Sequence, residues 1–230
     1  MTFKARKTLE EAEVVIGYKT YIDLIREVIN PNSEVVSGTM GREVDRAKIA
    51  VAKALEGKNV VVVSSGDPGV YGMAGVVLEA IEYTKTEIHS EVISGVTAAT
   101  SAASKIGAPL VTDFAVISLS DLLTPWKQIE ERLHAAAKAD FVIVLYNPQS
   151  IGRKKPLQQA HKILLNYRKP TTPVGIVKHA GREGEAALVI SLENLRDAVV
   201  DMATTIIIGK STTRIVNGKM ITPRGYDLSK

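Results

Sequence analysis

The first half of the chain alternates short, continuous apolar runs with longer segments whose apolar residues recur at helical spacing. The apolar runs predict buried strands at 14–16, 59–63 and 91–94. The helical pattern occurs at 3–12, 20–29, 43–56 and 71–83, and again between Gly95 and Gly107. Strands that alternate with helices in this way predict a parallel sheet covered by helices on both faces.

Beyond about residue 113 the strands become more frequent and the alternation with helices is lost. We predict strands at 115–119, 141–146, 173–177, 187–191 and 205–208, and helices at 126–138, 157–168 and 194–200. Asn217 and Gly218 separate two alternating segments and favour a type I′ hairpin turn. The predicted fold is therefore α/β, with a mainly parallel lobe at 1–112 and a mixed lobe at 113–230.

The composition narrows the possible chemistry. The chain has 230 residues and no cysteine, which excludes disulfides and thiolate nucleophiles. Its 29 basic and 25 acidic residues leave a net charge of +4, which permits an anionic partner without requiring one. We expect no membrane partner and no nucleic-acid partner, because the chain shows no signal peptide, no long apolar span and no basic stripe with interleaved aromatic residues. The four histidines lack metal-ligand spacing, so we expect no bound metal. The absence of cysteine and of a signal peptide leads us to expect a cytoplasmic protein.

The segment SSGDPGVYGMA, residues 64–74, follows an apolar strand and predicts a ligand-binding turn. Its glycines are spaced three apart, which differs from the G-x-G-x-x-G of a dinucleotide loop, and it lacks the lysine of a P-loop. Asp67 would repel a pyrophosphate, but it can accept hydrogen bonds from hydroxyl or amino groups. The pattern equally fits a structural role, in which Asp67 caps a helix that begins at Pro68, while Gly69 and Gly72 allow close packing.

Several motifs, in order along the whole chain, resemble those of the tetrapyrrole methylases. They are EEAEVVIGYKTYIDLI, VVVSSGDPGVYGMA, ISGVTAATSAASKIGAPL, DFVIVLYNPQS and VGIVKHAGREGE. The combination of GYKTY, SSGDPGVYGMA, LYNP and KHAGREGE most resembles the members that methylate carbon 17 of precorrin-3B, or of cobalt-precorrin-3, with ring contraction in cobalamin biosynthesis.

This resemblance implies a two-lobed tetrapyrrole methylase fold, a homodimer, and S-adenosylmethionine bound in a cleft between the lobes. The residues that match the family's cosubstrate-binding motifs are Gly66, Asp67, Val70, Thr97, Ala98, Tyr146, Asn147, Ala180, Thr204 and Thr205, with His179 beside them. Three of these have plainer alternatives: Thr97 as a helix N-cap, Asn147 as a turn residue before proline, and His179 as a packing residue.

Methyl transfer from a sulfonium is an in-line displacement, so the protein's main task is to hold the two reactants in contact. A chain without cysteine or an evident catalytic triad suits that task. Ring contraction also requires proton movement, for which the candidate acid–base residues are His179, Asp113 and Asp121, although either aspartate could simply be a cap. Basic side chains in loops are expected to orient the carboxylates of a tetrapyrrole: Lys19, Arg42, Arg153, Lys178 and Arg182.

Tetrapyrrole methylases normally begin with a strand and a G-x-G-P-G loop, whereas no glycine precedes Gly17 in this sequence. We therefore expect the fold to lack that first strand and loop, and a form extended upstream to bind the methyl donor more tightly. Two other functions fit the sequence. The chain could be a methyltransferase that acts on another tetrapyrrole, a different precorrin or a uroporphyrinogen, or it could be a truncated relative that binds S-adenosylmethionine without catalysis.

Overall fold

The structure is a computed structural model that describes residues 1–149 and 155–229. Contacts divide the chain into two compact units, Met1–Thr97 and Ala98–Lys230. This division assigns residues 98–112 to the second unit, whereas the change in composition assigned them to the first lobe. The lobe boundary at residue 112 therefore stays a prediction.

The first unit contains three parallel strands and four helices. The helices are α1 (Phe3–Glu11), α2 (Lys19–Asp23), α3 (Glu43–Leu55) and α4 (Ala74–Thr84). The strands are β1 (Val14–Tyr18), β2 (Glu34–Gly38) and β3 (Val60–Val63), in the order β2-β1-β3. Val14 is in register with Glu34 on one side and with Val60 on the other. The predicted parallel sheet is confirmed.

The central strand β1 explains why this sheet is covered on both faces. Val15 packs on one side with Leu9 of α1 and Ile22 of α2, while Ile16 packs on the other with Ala50 of α3. Successive side chains of a strand point to opposite faces, so a continuous apolar run needs cover on both.

Four features of this unit differ from the prediction. The helix predicted at 20–29 ends at Asp23. β2 was missed, because it alternates weakly and includes a serine and a glycine. Helix α4 begins at Ala74 instead of Tyr71, since Tyr71 has a positive φ of 53°. The strand predicted at 91–94 was wrong. Within the described residues no strand pairs with this segment, and a strand without a ladder partner leaves its backbone groups unsatisfied.

The second unit is built on a mixed five-stranded sheet. Its strands are β5 (Phe114–Ser118), β6 (Val142–Tyr146), β7 (Pro173–Lys178), β8 (Ala186–Ser191) and β9 (Thr204–Ile208), in the order β5-β6-β9-β7-β8. A small second sheet contains β4 (Gly107–Ala108), β10 (Arg214–Val216) and β11 (Lys219–Ile221). The hairpin turn at Asn217 and Gly218 has φ values of 50° and 75°, which confirms the predicted type I′ geometry.

Helices cover the five-stranded sheet on both faces. One face carries α6 (Trp126–Lys138), α7 (Lys155–Leu165) and a 3₁₀ helix (Leu192–Asp197), and the other carries α5 (Ala98–Ile106). The helix predicted at 194–200 is thus a shorter 3₁₀ helix that begins earlier. In the described part of the chain, no helix combines the length and the apolarity that crossing a membrane requires.

Candidate active site

The five-stranded sheet gathers most of the predicted site residues of the second unit at one of its edges. Strands β5 and β6 are parallel, and both β6 and β7 run antiparallel to β9, so β5, β6 and β7 all end where β9 begins. We call this the site edge. It carries Tyr146 and Asn147 after β6, His179 and Ala180 after β7, and Thr204 at the start of β9. Strand topology therefore brings together residues that lie far apart in sequence.

Tyr146 connects β6 to helix α5. Its hydroxyl oxygen accepts a hydrogen bond from the backbone N–H of Ala99, at 2.7 Å. That N–H lies in the first turn of α5, where backbone donors have no partner within the helix. The tyrosine thus fixes the start of the helix against the end of the strand.

The backbone is strained at two neighbouring places on the site edge. Asn147 has φ of 51° and donates from Nδ2 to the Ser118 hydroxyl at 2.9 Å, while His179 has φ of 51° and its N–H donates to the Ala203 carbonyl at 3.0 Å. Side chains other than glycine rarely adopt this conformation, and such strain concentrates at functional sites. A turn role accounts for the positive φ of Asn147, since asparagine tolerates this conformation, and that alternative therefore stays open, whereas a packing role alone does not account for the φ of His179.

His179 lies in a tight turn between β7 and β8. Its ring Nδ1–H donates to the Glu183 carbonyl at 3.2 Å, and its own carbonyl accepts from the Arg182 N–H at 2.8 Å. The ring is half-buried, so one of its nitrogens remains for proton transfer or ligand contact.

Thr204 and Thr205 are 3% and 6% exposed and lie on opposite faces of the sheet. Thr205 shares its face with Ile207, which packs with α5, and both Tyr146 and Ala180 pack against the same cluster. Tyr146, Ala180 and Thr205 therefore share the face of the sheet that α5 covers.

In the first unit, Asp67 organises the glycine-rich turn. Its Oδ1 accepts from the Gly69 N–H and its Oδ2 from the Gly95 N–H, both at 2.8 Å. Gly66 has φ of 69°, and the Val70 N–H donates to the Asp67 carbonyl at 3.1 Å. Both carboxylate oxygens thus hold backbone, and each retains lone pairs for a ligand donor.

The structure excludes one alternative for this turn. Asp67 does not cap α4 and Pro68 does not begin it, because the residue that caps α4 is Met73. The Gly72 position is a close approach, as expected, since a Cβ there would lie 2.6 Å from the Pro68 carbonyl oxygen. Thr97 directly precedes α5 and Ala98 is its first residue, so the N-cap position remains compatible with Thr97.

The three acid–base candidates do not lie together. Asp121 is exposed and follows β5 by three residues, which places it near the same edge as His179. Asp113 directly precedes β5 and therefore lies at the opposite edge, where its carbonyl accepts from the Val142 N–H at 3.3 Å. This geometry supports His179 and Asp121 and gives no support to Asp113.

Sequence reasoning missed three residues that shape these sites: Gly95, Ser118 and Asp201. Gly95 holds Asp67, Ser118 holds Asn147, and Asp201 holds Thr204. Ser118 had a usable signal, because it is a polar residue at the end of an apolar strand. The other two act through contacts that the sequence does not reveal.

Several of the cations predicted to orient the substrate have carboxylate partners of their own. Lys19 pairs with Asp23 at 2.7 Å, Arg42 with Asp45 at 2.9 Å, and Lys178 with Asp201 at 2.7 Å. Arg153 lies outside the described residues. Of these three ion pairs, the one between Lys178 and Asp201 lies at the site edge.

A surface pocket of about 330 Å³ lies elsewhere in the second unit. Its lining comes from α7 and the 3₁₀ helix: Gln158, His161, Lys162, Arg196 and Asp197. These elements cover the face of the sheet opposite α5, and none of the predicted site residues lines the pocket. Among residues 1–149 and 155–229, no cluster of His, Cys, Asp or Glu could hold a metal ion.

Comparisons with known proteins agree with these motifs. Residues 1–196 match the family model of the tetrapyrrole (corrin/porphyrin) methylases. A probable cobalt-factor III C(17)-methyltransferase of Salmonella typhimurium is 46% identical over 228 residues, which cover 99% of this chain and 94% of that protein. A precorrin-3B C(17)-methyltransferase of Sinorhizobium is 40% identical over 234 residues, covering 98% and 91%. Two other relatives, at 46% identity, are longer, and the chain spans 42% and 63% of their lengths.

A solved structure shows the same fold. The crystal structure of the methyltransferase CobJ superposes with a TM-score of 0.88 at 36% identity, covering 97% of this chain and 93% of that one. The chain belongs to the tetrapyrrole methylases. The predicted family and enzyme class are thus confirmed, together with S-adenosylmethionine as the methyl donor that this family uses.

Replacing Tyr146 by phenylalanine is expected to lower the free energy of unfolding of the second unit by about 1 kcal/mol, the usual contribution of one hydrogen bond. The Ala99 N–H would lose its acceptor while the ring keeps its packing. Urea denaturation followed by the fluorescence of Trp126, the chain's single tryptophan, measures the change. Tyr167→Phe is the matched control, since that hydroxyl bonds His134 at the surface, and an equal loss in both variants would contradict the prediction.

Proposed function

We propose that the chain transfers a methyl group from S-adenosylmethionine to carbon 17 of precorrin-3B or its cobalt-containing counterpart, with contraction of the ring, in cobalamin biosynthesis. The observation that carries this proposal is identity of 40–46% over nearly the whole chain to relatives named as C(17)-methyltransferases. The relative named for cobalt-factor III is the more similar of the two, which favours a substrate that already contains cobalt.

Two groups of residues support the proposed binding of the methyl donor, and each group is described within its own unit. In the first unit, the turn at Gly66, Asp67 and Val70 presents the side-chain oxygens of Asp67 as hydrogen-bond acceptors beside a backbone that glycine keeps free of side chains. In the second, Tyr146, Ala180 and Thr205 share one face of the sheet, and Asn147 and His179 are strained beside them. A pre-organised backbone with few mobile side chains suits this reaction, whose main requirement is that the two reactants are held at the correct distance and orientation.

The roles in chemistry follow from this arrangement. The sulfonium carbon is attacked by an electron-rich ring carbon, so the C–S bond breaks as the new C–C bond forms and S-adenosylhomocysteine leaves. No protein nucleophile takes part. We propose His179 as the principal group for proton movement during ring contraction, with Asp121 as the second candidate, because both follow strands that end at the site edge.

The homodimer and the cytoplasmic location are proposals that rest on the family resemblance. Leu122 and Leu123, which are 77% and 99% exposed in the loop after β5, support an association surface in the second unit.

The proposed activity is tested by incubation with methyl-labelled S-adenosylmethionine and either precorrin-3B or cobalt-factor III. We expect one labelled methyl group per product, assigned to carbon 17 by carbon-resolved NMR, and release of S-adenosylhomocysteine. Uroporphyrinogen III serves as the control substrate and should remain unmodified. Methylation at another carbon would contradict the proposed regiochemistry, and tight binding of S-adenosylhomocysteine without turnover of any tetrapyrrole would favour a binding protein.

A further inference from the structure

The turn that precedes β9 is organised by a single carboxylate. Asp201 Oδ1 accepts from the Thr204 hydroxyl at 2.8 Å and from the Ala203 N–H at 3.0 Å. The backbone closes the same turn, because the Thr204 N–H donates to the Asp201 carbonyl at 3.2 Å. Residues 201–204 therefore have one conformation that depends on the Asp201 side chain.

The turn at 201–204 also stabilises the neighbouring turn, which contains His179. The Ala203 carbonyl accepts from the His179 N–H at 3.0 Å, while Asp201 Oδ2 forms an ion pair with Lys178 at 2.7 Å. The carboxylate thus contacts the residue before His179 directly and holds His179 itself through Ala203. His179 and Ala180 lie where the chain reverses, and the strained φ of His179 requires such support.

We propose that Asp201 is a positioning residue of the cosubstrate site. It fixes the turn at 201–204 and, through the Ala203 carbonyl and Lys178, holds His179 and Ala180 in the conformation that binds the methyl donor. The proposal rests on the proposed function, because it assumes that these two residues contact S-adenosylmethionine.

Charge supports the assignment. Partial burial raises the pKa of the Asp201 carboxyl, but the hydrogen bonds from Lys178, Thr204 and Ala203 outweigh this and hold the pKa below its ordinary value. The group is therefore ionised at neutral pH, the state in which both oxygens accept. The other side of the turn that contains His179 is held separately. There Glu185 accepts from the Gly181 N–H at 2.6 Å and pairs with Lys105 at 3.0 Å.

The second unit offers a matched control in Asp140. Its carboxylate likewise holds a turn, accepting from the N–H and the hydroxyl of Ser211 at 2.9 and 2.5 Å, and pairs with Arg168 at 3.3 Å. Asp140 lies two residues before β6 and so lies at the edge opposite the site edge. Loss of either carboxylate removes similar contacts, but only Asp201 is connected to His179.

The test compares Asp201→Ala, Asp201→Asn and Asp140→Ala with the wild-type protein. We expect Asp201→Ala to weaken binding of S-adenosylhomocysteine by about tenfold or more in calorimetry, and to raise KM for S-adenosylmethionine more than it lowers kcat. Asp201→Asn keeps an acceptor for Ala203 and Thr204 but loses the charge that pairs with Lys178, so it should restore part of the affinity. Asp140→Ala should bind like the wild type.

Hydrogen exchange of the ligand-free protein tests the structural link by itself. The His179 amide should exchange faster in Asp201→Ala and unchanged in Asp140→Ala. Equal exchange in Asp201→Ala and the wild type overturns the proposal, as does an equal loss of affinity in the two alanine variants. A wild-type protein that binds no S-adenosylhomocysteine contradicts the proposed function and overturns the binding part of the proposal, while the exchange result still decides the structural part.

Discussion

Replacing Gly95 by alanine is expected to weaken binding of S-adenosylhomocysteine by about tenfold to a hundredfold. A Cβ at this position would overlap the Gly66 carbonyl oxygen and would lie 2.9 Å from the Gly66 carbonyl carbon and 3.2 Å from the Asp67 Cα. These are backbone atoms of the proposed binding turn, so the clash cannot be relieved by a side-chain rotation. Overpacking of this kind costs about 1–3 kcal/mol, and a ligand that binds only the undistorted turn would lose that amount of affinity.

The same substitution also removes a hydrogen bond if the segment moves away. The Gly95 N–H donates to the Asp67 carboxylate at 2.8 Å, and separation of the two would leave that oxygen unpaired beside the ligand. Calorimetric titration with S-adenosylhomocysteine measures the loss.

Gly75→Ala is the control for the Gly95 variant. Gly75 lies in α4, a Cβ there would meet no atom within 4 Å, and its φ is ordinary. Affinity should be unchanged, and stability should be equal or higher by about 0.5–1 kcal/mol, because glycine is a poor helix former. Wild-type affinity in Gly95→Ala would show that the turn at Gly66 and Asp67 does not bind the cosubstrate.

The elements that could be predicted from the sequence are those in which burial alone decides the structure. The runs at 60–63 and 142–146 are apolar at every position, and each forms a strand within a covered sheet. The segment 91–94 has two β-branched apolar residues, Val92 and Ile93, yet it forms no strand, because strand formation depends on a neighbour that the local sequence cannot specify. The apolar pattern thus predicts which segments can form strands, while hydrogen bonding to a neighbouring strand decides which of them do.

In the candidate site, too, some features could be predicted from the sequence and others depend on contacts between distant segments. Tyr146, Asn147, His179 and Ala180 were grouped through the motifs of the family that the chain resembles, and the structure places them at one edge because β6 and β7 end there. Asp113 and Asp121 flank the same strand and looked equivalent, but strand direction separates them to opposite edges. The contacts of Gly95 with Asp67 and of Asp201 with Lys178 could not be predicted, since each joins segments that are distant in the chain.

Positive φ values occur both at the candidate site and away from it. Among the described residues, six other than glycine have φ of 50–58°, and three of these, Tyr71, Asn147 and His179, belong to motifs that the family resemblance connects with the cosubstrate. Each strained backbone costs about 1–3 kcal/mol and must be offset by the surrounding structure. The hydrogen bonds of Asn147 to Ser118 and of His179 to Ala203 supply that support, so the residues behind the site matter as much as those that face the ligand.

The largest loss of stability is expected for Arg168→Met. Arg168 is 7% exposed, and its guanidinium donates to the carbonyls of Ala137, Phe141 and Gly209 at 2.7, 3.0 and 3.3 Å. It also pairs with Asp140 at 3.3 Å. These contacts join the end of α6, the start of β6 and the end of β9, so removal of the guanidinium would take one shared donor from these carbonyls and from the Asp140 carboxylate.

We expect Arg168→Met to lower the free energy of unfolding of the second unit by about 3–5 kcal/mol, because removal of one partner from a buried charged network leaves the other groups uncompensated. The free energy of unfolding of Arg168→Lys should lie between those of the wild type and of Arg168→Met. The lysine ammonium keeps the charge, but it lacks the planar group that lets arginine donate to several carbonyls at once. Urea denaturation followed by Trp126 fluorescence measures both variants, with Arg132→Met on the exposed face of α6 as the control, for which a change within about 0.5 kcal/mol is expected. A loss of less than about 1 kcal/mol in Arg168→Met would contradict the prediction, because it would mean that the surrounding carbonyls do not depend on this guanidinium.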